Sequence, residues 1–231
     1  MTKLVLCMAG LYNRFRDAGY TTPKFLLEVE GRTILSIIVD ALEPRVLILV
    51  ANERDRSYEG QIRQAVGDCE LLWIGDTGGQ AETAAIGARA VRGDGPVVFH
   101  NVDTVLVGRD LEAIGDQLQS AAGYIDVFDS DSPVFSYVGV KGGQIVEIRE
   151  KVVISRHATT GLYGFASAGL YLEAYEATSH RSGGEFYISD VYKTLIERGD
   201  RLVINLSSTG HKTLVLGTPA QYEAHLAEVA S

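Results

Sequence analysis

The feature that most constrains this chain is the regular exchange, through its first half, of short β-branched apolar runs with segments whose apolar residues recur at helical spacing. Lys3 to Met8 is rich in Val and Leu and breaks at Ala9-Gly10 into mixed polar residues, as a buried strand delivering a turn would. Thr33 to Leu42 carries Ile34, Leu35, Ile37, Ile38, Ala41 and Leu42 on a helical stripe, and Arg45 to Ala51 is another β-branched run. The exchange continues with a helical Tyr58 to Val66, a strand at Glu70 to Ile74, an Ala-rich helix at Gln80 to Val91, and a strand at Pro96 to His100 ending in Asn101-Val102-Asp103. Strands alternating with helices imply parallel crossover units, so the expected class is α/β, a Rossmann-like, mostly parallel sheet flanked by helices.

The second half reads differently. Tyr124 to Phe128, Phe135 to Val140 and Gln144 to Ile148 are strand-like pieces joined by Ser-Asp-Ser-Pro and Lys-Gly-Gly, the pattern of antiparallel hairpins. Helices at Ala168 to Glu176, Ser189 to Arg198 and Ala220 to Val229, and a strand at Arg201 to Leu206, complete the expectation. No linker, repeat or low-complexity tract interrupts the 231 residues, and Ser179 to Gly184 is the most loop-like interior stretch; one domain is expected.

Charge and composition narrow the function. A formal net charge of −9 argues against a nucleic-acid surface, so an anionic ligand must be met by a local cluster of Lys and Arg. No window is apolar enough for a bilayer span, and Met1 to Met8 lacks the long apolar region of a signal peptide; a cytoplasmic protein with no membrane partner is expected. Cys7 and Cys69 are too few for a disulfide framework and lack zinc spacing. The histidines at 100, 157, 180, 211 and 225 form no HxxxH or HExxH and receive no catalytic role.

Five places remain where chemistry could reside. Ala9-Gly10-Leu11-Tyr12-Asn13-Arg14-Phe15, followed by Pro23-Lys24, is a strand-to-loop turn whose backbone N–H groups could seat an anion, with Arg14 and Lys24 adding positive charge. The plain alternative is an ordinary glycine turn with two solvated cations. Asp103 ends an apolar strand, where open parallel sheets place ligand-binding residues, and a carboxylate there suits Mg²⁺ bridging phosphate oxygens; it equally suits a helix cap or Asx turn. Gly79-Gln80 opens the Ala-rich helix, where small residues admit a flat base and Gln80 offers both donor and acceptor, although helix packing accounts for the alanines as well. Glu150-Lys151 follows the hairpins, with Lys151 a compact charge for a second phosphate or simply half of a solvated pair. Glu185, beside Phe186 and Tyr187, is either a sugar-holding carboxylate or a loop residue near core aromatics.

Taken in order, these pieces resemble the sugar-nucleotidyltransferase family, the nucleoside-diphosphate-sugar pyrophosphorylases, over nearly the whole chain. Residues 7–15 are similar to the family's phosphate loop, and Pro23-Lys24-Phe25-Leu26-Leu27-Glu28-Val29-Glu30-Gly31 to its Pro-Lys-x-Leu-x-x-Val-x-Gly segment. Gly79-Gln80-Ala81 falls where the family meets the base, and Asn101-Val102-Asp103 where it holds magnesium. Ile148-Arg149-Glu150-Lys151, the Gly161-Leu162-Tyr163-Gly164-Phe165 strand, Gly184-Glu185-Phe186-Tyr187 and Leu216-Gly217-Thr218-Pro219 complete the order. Small single-domain members associated with capsule and surface-polysaccharide pathways resemble the chain around Gly19 to Lys24 and Phe135-Ser136-Tyr137.

The resemblance implies a nucleotide-binding half over 1–110 and an acceptor-binding half over 111–231. It also implies a Mg²⁺-dependent transfer of NMP from an NTP to a phosphorylated small molecule, above all a sugar 1-phosphate, with release of pyrophosphate. Ala9, Gly10, Leu11, Tyr12, Asn13, Gly79 and Gln80 would bind the nucleotide, Arg14 and Lys24 would be catalytic, Asp103 would hold the metal, and Lys151, Gly161 and Glu185 would hold the acceptor. CTP, UTP, dTTP and GTP all stay open, with a slight lean to CTP, and a homo-oligomer also stays open. Two departures stand out: Tyr12-Asn13 replaces the family's second glycine and Ser or Thr, and Val215 stands where many members carry a second aspartate. They motivate a rival reading, a nucleotide-binding regulatory module without catalysis. A Rossmann oxidoreductase would need the GxGxxG that the first turn lacks.

Overall fold

The apolar run at the start of the chain forms β1 (Lys3–Cys7), and its near-complete burial is that of a strand covered on both faces. In the computed structural model, which describes residues 1–179, 184–206 and 210–229, β1 sits inside a sheet of nine strands. The chain then passes through α1 (Asn13–Asp17), the small hairpin of β2 (Glu28–Val29) and β3 (Arg32–Thr33), and α2 (Ile34–Leu42), and returns as β4 (Val46–Asn52). Thr33 starts α2, its side chain accepting the Ser36 N–H, and the helix buries Ile34, Leu35, Ile38 and Leu42 of the stripe read from the sequence, with Val39 added and Ile37 and Ala41 half-buried at its margin.

Next come α3 (Glu59–Val66), β5 (Glu70–Ile74), α4 (Gln80–Ala90) and β6 (Val97–Asn101). The strands lie parallel in the order β5-β4-β1-β6. Strand order therefore reverses at β1, and the loops leaving the carboxyl ends of β1 and β6 part to open a crevice between them. Alternate side chains of β1 feed opposite layers, Leu4 and Leu6 packing with α2 and Val5 with α4. The alanines of α4 serve that packing. Ala81, Ala84, Ala85 and Ala88 are buried, and a Cβ on Gly87 would lie 3.0 Å from Val50, so the helix rests directly on the sheet.

The later elements are β7 (Thr104–Val107), α5 (Leu111–Gln117), β8 (Gly123–Asp129), β9 (Ser136–Lys141), β10 (Gln144–Glu150) and β11 (His157–Phe165). After them follow α6 (Ala168–Ala177), α7 (Ile188–Arg198), β12 (Leu202–Asn205), β13 (Lys212–Val215) and α8 (Pro219–Val229). The sheet continues from β6 as β11-β9-β10, all antiparallel, while β8 pairs with β11 and, in parallel, with β12. The expected hairpin of β9 with β10 is present, turning on Gly142 and Gly143 at positive φ. The expected hairpin of β8 with β9 is not. β11, buried along all but its first residue, takes the central place between them, because a strand without a solvent face has nowhere else to lie.

The β7–β13 pair forms a separate small sheet, tied to the large one by the fully buried Arg109–Asp126 ion pair at 3.2 Å. Arg109 also donates to the carbonyls of Val107 and Lys212, and Asp126 accepts from Thr160 and Asn205, so both charges are hydrogen-bonded as well as paired. Part of the expected loop 179–184 lies outside the described residues.

Candidate active site

A cavity of about 740 Å³ opens at the carboxyl ends of β1, β5 and β6. Of the residues singled out in the sequence, Ala9, Gly10, Leu11, Asn13, Arg14, Lys24, Gly79, Gln80, Asp103, Lys151, Gly161 and Glu185 line it, and Tyr12 does not.

The loop after β1 is shaped by two aromatic residues. Phe15 is buried at 1% exposure, edge-on to Tyr20 at 5.4 Å and Tyr222 at 6.4 Å, and a side chain of that size contributes about 2–3 kcal/mol when removed from water. With Phe15 pinned, its neighbour Arg14 is left exposed at the cavity wall. Tyr12 adopts the left-handed region at φ 38, ψ 37, which costs a non-glycine residue about 1–2 kcal/mol, and its hydroxyl donates to Asp55 Oδ1 at 2.5 Å behind the loop. Tyr12 thus holds a backbone conformation that glycine would reach without strain.

Opposite this loop, Pro23 leads into a 3-10 turn over Lys24–Leu26 whose Phe25 and Leu26 are buried, which aims Lys24 outward. Its Nζ lies 2.6 Å from Asp103 Oδ2, and both side chains are largely shielded. Burial pushes the Asp103 carboxyl up, but the charge and hydrogen bond of Lys24, with smaller help from His100 and Thr104, more than offset this and hold it below its ordinary value. Asp103 is fixed from behind, its carbonyl accepting the Leu216 N–H at 2.7 Å. Val215 shares the cavity wall, and among the described residues no three His, Cys, Asp or Glu side chains gather as a metal cluster. The nearby Cys7 thiol is pushed up to about 12 by burial, which leaves it un-ionised and not nucleophilic. His100 is buried against the Thr104 carbonyl at 2.8 Å with its pKa lowered by desolvation, a packing residue rather than a titrating one.

The two halves of the chain meet at a backbone seam. The Phe186 N–H donates to Gly78 O at 3.0 Å, and the Ala81 N–H donates to Phe186 O at 2.8 Å. Gly79, between them, stands at φ 144 with no room for a side chain. The seam presents Gln80 to the cavity, its amide N–H donating to Asn101 Oδ1. Asn101 in turn packs against Gly161, which sits at φ 83 in the bulge where β11 shifts register between Thr159 and Tyr163.

On the far wall, Lys151 has φ 55 and its Nζ donates to Tyr187 Oη at 2.6 Å, while the Tyr187 hydroxyl donates to Glu185. Burial, together with the Glu185 carboxylate, pushes the Tyr187 hydroxyl up, so it stays a donor. Glu150 lines the same cavity but is engaged elsewhere, accepting from Ser136 and from Ser189 at 2.8 Å. The expected Glu150-Lys151 pair is therefore two separate fixtures.

Tyr187, Asn101, Asp76, Thr218 and Gln221 also line the cavity and were given no role from sequence. The strand-end rule that found Asp103 also covers Asp76, two residues past β5. Nothing in local sequence marks Tyr187 as the link between Lys151 and Glu185.

No protein-family model matches the chain, and no curated protein matches it. Solved structures do. A nucleoside-diphosphate-sugar pyrophosphorylase from Vibrio cholerae is 27% identical with a TM-score of 0.82, covering 97% of this chain and 99% of its own. A Bacillus anthracis structure described as a glucose-1-phosphate thymidylyltransferase in complex with a sucrose is 18% identical, TM-score 0.79, covering 99% and 95%. A UDP-glucose pyrophosphorylase complexed with UDP-glucose is 17% identical, TM-score 0.79, covering 99% and 98%. At these identities the last two speak to fold alone.

Proposed function

From the fold it shares with nucleoside-diphosphate-sugar pyrophosphorylases, and its likeness to one of them along nearly its whole length, we propose that this chain is a nucleotidyltransferase. It would transfer NMP from an NTP to a phosphorylated small molecule, a sugar 1-phosphate being the preferred acceptor. The observation that carries the reading is the meeting in one cavity of Arg14, Lys24, Asp103 and Lys151, from four separate segments, in a chain whose net charge is −9.

The reaction brings two anions together. An acceptor phosphate oxygen attacks the α-phosphorus in line, the bond to the bridging oxygen of the β-phosphate breaks, and pyrophosphate leaves with that electron pair. No side chain forms a covalent bond, so the work is neutralising charge and fixing geometry. Arg14, exposed on the loop wall, would meet the β- and γ-phosphates. Lys24 would exchange part of its hold on Asp103 for the α-phosphate as charge develops there. Lys151 would bind the acceptor phosphate and Glu185 the acceptor's hydroxyls, with Tyr187 keeping the two side chains oriented before substrate arrives. Gln80 would offer its carbonyl to a donor on the base edge; among the four nucleotides the lean remains CTP.

Asp103 suits Mg²⁺. The ion commonly takes one or two carboxylates and completes its shell with water and phosphate oxygens, so a single carboxylate beside the phosphate loop is a sufficient protein contribution despite Val215. When bound, the ion would supply further neutralisation of the phosphate charge.

Pyrophosphate release measured for CTP, UTP, dTTP and GTP with Mg²⁺, against a panel of sugar 1-phosphates, tests the proposal. Release requiring one particular pair, and collapsing in Asp103→Ala, is expected. The absence of release from every pair, with nucleotide still raising the melting temperature, would count against catalysis.

A further inference from the structure

Behind the loop that carries Arg14 lies a group of polar side chains to which the reaction gives no task. Asp55 is 1% exposed, yet only its Oδ1 is engaged, by the Tyr12 hydroxyl at 2.5 Å; its Oδ2 is buried without a partner among the described residues. Next to it, Arg54 sends NH2 to the Ala9 carbonyl at 2.8 Å and to Asp76 at 3.3 Å. The Tyr12 ring lies under two guanidinium groups, Arg16 at 5.5 Å and Arg54 at 6.0 Å. Asn52 donates to the same Asp76 oxygen at 2.9 Å. Neither Tyr12, Arg54 nor Asp55 lines the cavity.

Resting on the reading of residues 9–15 as a phosphate loop, we propose that Tyr12, Arg54 and Asp55 are positioning residues that hold this loop in its nucleotide-binding shape before nucleotide arrives.

Three observations carry this. First, the contacts fall on the loop's two turning points. Ala9 is where the chain leaves β1, and Tyr12 is the left-handed residue immediately before α1, so the short segment between them is fixed at both ends. Second, the segment Asn52–Asp55 reaches the β5–α4 loop as well, through Asp76, so one bracket at the end of β4 sets the separation of the two loops that flank the nucleotide side. Third, the bracket is poorly made for stability alone. A carboxylate oxygen and Arg54 Nε are both buried unpartnered, and apolar packing would serve a purely structural purpose better. What the polar groups provide is direction, since a hydrogen bond fixes the Tyr12 ring, and through it a strained backbone, where dispersion would not. A glycine at position 12 would reach the same φ freely but would also leave it freely; the anchored tyrosine holds it, and binding then orders less chain.

The test uses the full chain with Tyr12→Phe, which keeps the ring and removes the donor, together with Asp55→Ala and the double variant. Backbone amide exchange over residues 9–14 is read without ligand, and the dissociation constants of CTP, UTP, dTTP and GTP are read by calorimetry. In Tyr12→Phe the loop amides should exchange faster, and affinity for whichever nucleotide the wild type binds should fall about five- to tenfold, the scale of one net intramolecular hydrogen bond. The double variant should bind no more weakly than Asp55→Ala, because both single changes break the same bond. Unchanged exchange, or unchanged affinity in Tyr12→Phe, overturns the anchor. If the wild type binds none of the four nucleotides the proposed function fails, while the exchange measurement still decides whether the anchor holds the loop.

Discussion

Replacing Gly79 with alanine tests whether the two halves of the site are held together by backbone. An added Cβ would lie 2.6 Å from the Phe186 nitrogen, and closer to its carbonyl oxygen, whereas real Cβ atoms essentially never come within 3.0 Å. Phe186 cannot retreat without cost, since its N–H is bonded to Gly78 and its carbonyl to Ala81, and its ring is stacked on Tyr175 at 4.9 Å. Relief therefore requires opening at least one of those hydrogen bonds, at about 1–3 kcal/mol where a buried group is left unpaired. Holding a non-glycine residue at φ 144 adds about 1–3 kcal/mol. The sum is about 2–6 kcal/mol, and for a chain of this size each kcal/mol moves the melting temperature about 2–4 °C, so a drop on the order of 10 °C is expected. Gly78→Ala is the control one residue away. Its Cβ would meet only the flexible end of Glu82, at 3.2 Å, and its melting temperature should stay within about 2 °C of wild type. Calorimetric melting of both variants decides the matter, and a Gly79→Ala protein that melts with Gly78→Ala would refute the seam.

Three further predictions concern charge. Lys24→Ala should lower turnover by about 100-fold or more, the scale of removing one aligned donor from developing charge, while the exposed Lys141→Ala leaves it within twofold; equal rates would remove Lys24 from the reaction. Because the Asp103 carboxyl sits below its ordinary value of 3.8 only while Lys24 outweighs burial, the pair's stabilisation is present above that value and lost as pH falls through the lowered one. The gap in melting temperature between wild type and Lys24→Ala should therefore be full at neutral pH and close as the pH falls through the lowered value; a gap independent of pH would contradict this. Arg109→Met leaves the buried Asp126 carboxylate with only neutral donors and should cost about 3–5 kcal/mol in denaturant unfolding, a loss under about 1 kcal/mol being the result that speaks against it.

Sequence periodicity reports which faces are buried, and so it was enough for the parallel half. Ile34, Leu35 and Ile38 could be assigned to one face of α2, and the Lys3–Cys7 run to a covered strand, without knowing any partner. The rule that ligands sit beyond the carboxyl ends of parallel strands made Asp103 and the Gly10 loop candidates beside the plainer cap and turn readings, and both line the cavity. Where the outcome depends on which distant segment arrives, periodicity is silent. β11 is as apolar as a strand needs to be, but nothing within it says that it will separate β8 from β9.

Tyr12 shows the same limit at the scale of one side chain. Read locally, a tyrosine in place of a glycine counts against a phosphate loop, because the side chain narrows the backbone's choices and blocks close approach. That inference assumed the side chain would point at the ligand. The residue that turns it away is Asp55, 43 positions further on, in the 3-10 turn that follows a strand whose own pattern says only that it is buried. The strain at φ 38 belongs to Tyr12, but what compensates it belongs to the turn after β4, and a departure from a family pattern can be weighed only when the structure shows where the new atoms go. Here they go to the back of the loop, so the substitution leaves the cavity wall to Ala9, Gly10, Leu11, Asn13 and Arg14.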